Sequence, residues 1–261
     1  MFSLEIYLRG LGVVAFAALC TWLLSLVRRN VAIVDSLWSL MFVMAGWTYA
    51  VQAPVWGPRA ILVLGLVTVW ALRLSIYITV RNWGHGEDRR YQAIRARNQP
   101  HFEIKSLYLI FALQALMAWI ISLPLLGAIL NSNAHSSPLG VLDFAGTALW
   151  LVGFSFEAGG DWQLARFKAD PANRGKVMDR GFWRYTRHPN YFGDFSVWWG
   201  LYLIAAGAGA WWSIIGPIGM SVLLMRVSGV TLLEKDIGER RPQYADYIRR
   251  TNAFFPGPPR P

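Results

Sequence analysis

Four carboxylates and a carboxamide stand out because their spacing puts them together and their surroundings are apolar. Glu157 and Asp161 are four residues apart, so a helix would carry both on one face. Asn190 and Asp194 repeat that spacing. Pro189 suits the first turn of a helix and pushes His188 out of the α region, which predicts an extended His188 and a helix starting near Pro189. The free N–H groups and positive end of that helix, beside Lys176, Arg184 and Arg187, would form an anion site. Trp183, Tyr185 and Tyr191 could stack on a planar ring, although Arg and Tyr at a membrane boundary also serve as head-group anchors. The fourth carboxylate, Asp35, falls inside another apolar run, where a charge costs at least ~2.5 kcal/mol. Arg73 is its expected ion partner, and both a structural pair and a catalytic pair fit the sequence.

Other chemistries lack their residues. No Gly-x-Gly-x-x-Gly follows a strand pattern, and there is no P-loop and no nucleophile-elbow serine. His85, His101, His135 and His188 are scattered, so no metal is expected. The single cysteine, Cys20, excludes a disulfide framework and a four-cysteine zinc site.

The elements that must position these groups are membrane helices. Of the 261 residues, 55% are hydrophobic and 15% charged, well short of the roughly 25% charged residues of soluble domains. Mean hydropathy is +0.34. The formal charge of +10 would suit a nucleic-acid binder, but this apolar load would not, and it excludes a disordered chain as well. Seven stretches are about long enough and apolar enough to span a bilayer, roughly 8–27, 31–51, 61–80, 106–130, 141–158, 195–210 and 211–230. The first is expected to be retained rather than cleaved as a signal. All of the 25 Lys and Arg residues except Arg9, Arg59 and Arg73 fall in alternate connections or in the tail. By the positive-inside rule those segments are cytoplasmic, with the N-terminus outside and the C-terminus inside. An all-α single domain covering 1–261 follows, with cytoplasmic segments about 81–105, 159–191 and 231–261 forming the polar side.

On these residues the chain resembles a known group. The segment from Gly181 to Asp194 resembles the C-terminal signature of the steroid 5-alpha-reductase-like superfamily, and a similar Arg-His-Pro stretch occurs in isoprenylcysteine carboxyl methyltransferases. With Asp35, Trp38, the run Glu87-Asp88-Arg89-Arg90-Tyr91 and the Glu157–Asp161 pair, the whole chain looks like the bacterial DUF1295 branch. The resemblance implies a seven-helix reductase that holds NADPH and reduces the activated C=C bond of a lipid enone, with a 3-oxo-4-ene steroid as the leading substrate. It assigns catalysis to Asp35, Tyr77 and Glu157, with Asp35 as a hydrogen donor and Trp70 as the rival for the Tyr77 position. It assigns the cofactor to Arg90, Asp161, Lys168, Lys176, Arg184, Tyr185, His188, Asn190, Tyr191, Asp194 and Tyr247, with Tyr244 as the rival for Tyr247. Trp38, Trp70 and Arg73 are left to face the substrate. Where the superfamily more often has Glu, this chain has Asp194. The expected setting is a bacterial inner membrane, with membrane lipids as neighbours and neither nucleic acid nor an obligate protein partner. An S-adenosylmethionine-dependent methyltransferase is the alternative enzyme, and a lipid-binding scaffold the alternative without catalysis.

Overall fold

The computed structural model describes residues 2–133, 138–227 and 243–260. The described residues form helices and connecting turns, with no strand among them. Lipid offers no partner for backbone N–H and C=O groups, and a helix satisfies them within itself. Among the described residues, five helices are long and apolar enough to cross a membrane: Leu4–Arg28, Val31–Val51, Pro58–Asn82, Phe102–Asn131 and Val141–Ala169. The sixth expected span is present as a helix, Pro189–Gly207, but Asn190, Asp194 and its Trp and Tyr residues leave it outside that set. The seventh is described only as far as residue 227, and its remainder lies outside the described residues.

The chain divides into two compact units. One comprises Met1–Val141 and Ile204–Gly216; the other comprises Leu142–Leu203 and Pro217–Pro261.

In the first unit, α1 (Leu4–Arg28) starts at Ser3, whose hydroxyl accepts from Ile6 N, and ends at Arg29 in the left-handed region. A 3₁₀ turn (Val31–Ile33) leads into α2 (Val34–Val51). α3 (Pro58–Asn82) opens on a proline, whose missing N–H costs nothing at a helix start. α2 packs against both α1 and α3. Ser75 Oγ donates to Ser36 O at 2.8 Å, and Thr79 Oγ1 donates to Ser36 Oγ at 2.9 Å. Asp88 caps the short α4 (Arg89–Arg97) by accepting from Arg90 N. The fourth span is broken rather than straight. It runs through α5 (Phe102–Ser106), a π-helical turn (Leu107–Ala112), α6 (Leu113–Ile121) and α7 (Leu123–Asn133). The break falls at Ser122, where Pro124 cannot continue the hydrogen-bond ladder. Phe42, Trp70, Phe111, Leu125 and Ile129 are among the fully buried side chains of the first unit. Val27, Ile76 and Val80 point outward, an apolar surface suited to lipid.

In the second unit, α8 (Val141–Ala169) is 29 residues long. The expected span ended at 158; the helix runs eleven residues further and carries Asp161, Gln163 and Lys168. Its polar end needs no lipid, so hydropathy alone stopped short of it. α9 is Pro189–Gly207, starting where Pro189 predicts. Glycines recur every seventh residue at 146, 153 and 160 on α8 and at 193 and 200 on α9. These bring the two backbones together. A Cβ on Gly193 would lie 2.4 Å from Glu157 N and 2.5 Å from Gly153 O, and one on Gly200 would lie 2.6 Å from Gly146 O. After α9 come α10 (Ile215–Val222), a π-helical turn (Leu223–Val227) and α11 (Gln243–Arg250).

Candidate functional site

Two polar clusters form, one within each unit. In the first unit, Asp35 sits on the opening turn of α2, and its side chain is 16% exposed. Its partners come from α4. Arg90 Nη2 donates to Asp35 Oδ2 at 2.9 Å, and the Tyr91 hydroxyl donates to Oδ1 at 2.5 Å. Gln114 Nε2 donates to the Tyr91 oxygen at 3.2 Å. The expected Asp35–Arg73 pair is therefore replaced by Asp35–Arg90: Arg73 stacks over the Tyr77 ring at 5.3 Å. Both Asp35 oxygens accept hydrogen bonds, one of them from a guanidinium, so Arg90 and Tyr91 stand beside the Asp35 of the sequence reading as groups that can donate here. Burial, and then the charge and hydrogen bond of Asp35, push the Tyr91 phenol well above its usual range, so it keeps its proton at neutral pH. Burial opposes the charge on Arg90, yet Asp35 and Asp88 hold its guanidinium firmly protonated.

A second pair fixes the start of the same segment. Arg95 Nε and Nη2 reach Glu87 at 2.8 and 2.9 Å, and Glu87 Oε1 accepts from Val31 N at 2.9 Å. Burial would raise the Glu87 carboxyl, but those hydrogen bonds outweigh it and hold the group below its usual value. Trp38, Phe42 and Trp70 form a chain of rings 5.2 and 5.8 Å apart, with Trp70 fully buried in the unit's core.

In the second unit, Glu157 and Asp161 face inward from α8 and are 3% and 4% exposed. Asn190 Nδ2 donates to Asp161 Oδ1 at 3.3 Å across the glycine contact. Asp194, a turn further along α9, is buried too. His188 is buried, lies just ahead of α9 and stacks on Tyr191, ring centroids 5.7 Å apart. Gln163 Oε1 accepts from Phe182 N, and Trp183 Nε1 donates to Gly160 O, tying the signature loop to α8. Lys168, Lys176, Arg184 and Tyr185 are exposed.

Arg187 departs from its expected place among the anion-facing cations. It is buried, and its Nη1 donates to Ile248 O at 3.2 Å and Thr251 O at 2.6 Å, at the C-terminal end of α11. Carbonyls left over at a helix end attract a cation as an anion would. Tyr247 and Tyr244 are both buried, and the Tyr247 hydroxyl donates to Trp183 O. Of the expected catalytic residues, Asp35 and Tyr77 lie in the first unit and Glu157 in the second.

Sequence reasoning left Glu87, Asp88 and Tyr91 without roles and passed over Gln114, Gln163 and the glycine heptads. Asp88 ahead of a basic helical run was a readable N-cap. The seven-residue glycine spacing was a readable sign of close helix packing. Nothing in the sequence marked Gln114 as the partner of Tyr91.

A family profile described as "Protein of unknown function (DUF1295)" matches residues 21–251. The chain belongs to this family. An uncharacterized protein of the fission yeast Schizosaccharomyces pombe is 26% identical over 268 residues, covering 90% of this chain and 75% of the yeast protein. No solved structure matches the chain. The DUF1295 match opens within α1 and closes just after α11, so it takes in Asp35, the Asp161–Asn190 pair and Tyr247.

Proposed function

We propose that this DUF1295 protein is an NADPH-dependent membrane reductase acting on the activated C=C bond of a lipid enone, with a 3-oxo-4-ene steroid as the leading substrate. The observation that carries the reading is the Asp161–Asn190 hydrogen bond at the head of α9, with Glu157 and Asp194 buried beside it. Buried polar groups on apolar helices are costly unless they serve a ligand or each other. This donor and acceptor set fits a nicotinamide cofactor: a carboxamide and carboxylates for its amide and ribose hydroxyls, and exposed Lys168, Lys176 and Arg184 in the same unit for its phosphates. The resemblance of 181–194 to the steroid 5-alpha-reductase-like signature supports the same assignment.

When bound, the cofactor would supply a hydride. The chain's part is to stabilise the negative charge that builds on the conjugated oxygen of the substrate. In the first unit the side chains able to donate in this way are Tyr91 and Arg90, which Asp35 orients. The proposal includes seven spans with the N-terminus outside and the C-terminus cytoplasmic, and a bacterial inner membrane as the setting.

The deciding measurement is thermal unfolding of the full chain in detergent. NADPH is expected to raise the melting temperature and S-adenosylmethionine to leave it unchanged; the reverse pattern overturns the reductase in favour of a methyltransferase. Asn190→Ala and Asp161→Ala are expected to abolish the NADPH shift. Tyr91→Phe is expected to keep that shift and lower enone turnover about 10²-fold or more, in the range set by loss of one oxyanion donor. Full turnover by Tyr91→Phe would remove Tyr91 from the chemistry.

A further inference from the structure

A cleft of about 800 Å³ opens in the first unit where α1 and α3 end and α4 begins. It lies at the ends of two long apolar helices, α1 and α3, and the outward-facing Val27 (82% exposed) and Val80 (70% exposed) sit just before Arg28 and Arg81. Its walls are polar and unevenly charged. Arg28, Arg81 and Arg89 come from three different helix ends, with Asn30, Asn82 and Gln92 between them.

Both carboxylates that line the cleft have cation partners, and Asp88 shares its own with Asp35. Glu87 is held by both arms of Arg95 and by Val31 N, and Asp88 by Arg90. Two of the three cations are in the opposite state, while the charge of Arg81 acts on Asp88. Among the described residues, Arg28 and Arg89 have no carboxylate within ion-pair distance, while Arg81 reaches the neighbouring Asn82 Oδ1 at 3.1 Å and the Tyr77 ring. Two guanidinium groups without a carboxylate partner and a third beside Asp88 leave a surplus of positive charge around the hollow, which a phosphate would balance.

We propose that this cleft is a binding site for a phosphate-bearing anion, held by Arg28, Arg81 and Arg89. The site lies wholly in the first unit and does not depend on the reductase reading. The phosphate could belong to a lipid headgroup at the membrane boundary or to a soluble phosphate ester, and the chemistry of recognition is the same for both.

The test uses the full chain in neutral detergent. Its melting temperature is followed while short-chain phosphatidylglycerol, short-chain phosphatidylcholine or inorganic pyrophosphate is added. Stabilisation by phosphatidylglycerol over phosphatidylcholine supports the site and assigns it to anionic lipid. Stabilisation by pyrophosphate supports the site and assigns it to a soluble phosphate. In either case the combined variant Arg28→Gln, Arg81→Gln, Arg89→Gln is expected to bind at least about tenfold more weakly, the effect of losing one or more charge-assisted hydrogen bonds. Arg89→Gln alone guards against misfolding, because that exposed side chain has no carboxylate partner among the described residues; it is expected to weaken binding in the same direction. Arg97→Gln, on the far end of α4, is expected to bind as the unmodified chain does. The site is overturned if none of the three probes stabilises the protein, or if Arg97→Gln loses as much affinity as Arg89→Gln.

Discussion

Asp35 and Glu87 show how a carboxylate near the membrane is tolerated: each is met by a guanidinium from the same short helix, α4. The Glu87–Arg95 pair has a readable pH signature. Its carboxyl is held below the ordinary value, so the native state binds fewer protons there than the unfolded chain. The stabilisation is present at neutral pH, begins to fade near the ordinary glutamate value of about 4.3, and is lost as pH falls through the folded value. Arg95→Ala is expected to cost about 1–3 kcal/mol at neutral pH and less in acid. Glu87→Gln should flatten the acid limb of the melting-temperature profile between about pH 5 and 3. An unchanged acid limb in Glu87→Gln would mean that another carboxylate governs it.

Among the elements, the α8–α9 contact carries the second cluster. Glycine is required there because backbone meets backbone: a Cβ at Gly193 would lie 2.4 Å from Glu157 N. The same contact sets Asn190 against Asp161, so the register of the glycines and the geometry of the site are one feature. Gly193→Ala is expected to destabilise by about 1–3 kcal/mol or more, the cost of overpacking, and to weaken the NADPH shift as the two helices move apart. Gly65→Ala is the contrasting case. Nothing lies within 4 Å of a Cβ on that residue of α3, so its melting temperature should stay level or rise with the better helix former. Equal losses in the two variants, read by thermal unfolding, would show that the close approach at Gly193 does not set the cost. At the other end of the second unit, Arg187 has become a helix cap, which explains why a cation in an otherwise anion-facing sequence points away from solvent.

For the whole molecule, five long apolar helices among the described residues make an integral membrane protein the consistent reading, and the DUF1295 match over 21–251 spans the residues of both polar clusters. Seven spans predict a defined outcome for tagged termini. A reporter at the N-terminus should be accessible only from outside, and one at the C-terminus only from the cytoplasm. Termini on the same side would require an even number of crossings and remove the seven-span proposal. Composition alone determined the helical membrane class, because a chain this apolar must satisfy its backbone internally. Local rules determined the start of α9, since Pro189 restricts its own backbone and that of His188. Only the tertiary structure decided the partners. Chain spacing pointed from Asp35 to Arg73, but the cation that arrives is Arg90, delivered by a polar connection whose path hydropathy does not describe. Likewise the last eleven residues of α8 are polar and invisible to a span count, yet helix geometry continues through them and carries Asp161 to Asn190. Pattern along a sequence reports which surface each residue prefers, whereas the choice between two equivalent guanidinium groups depends on which one packing brings within about 3 Å.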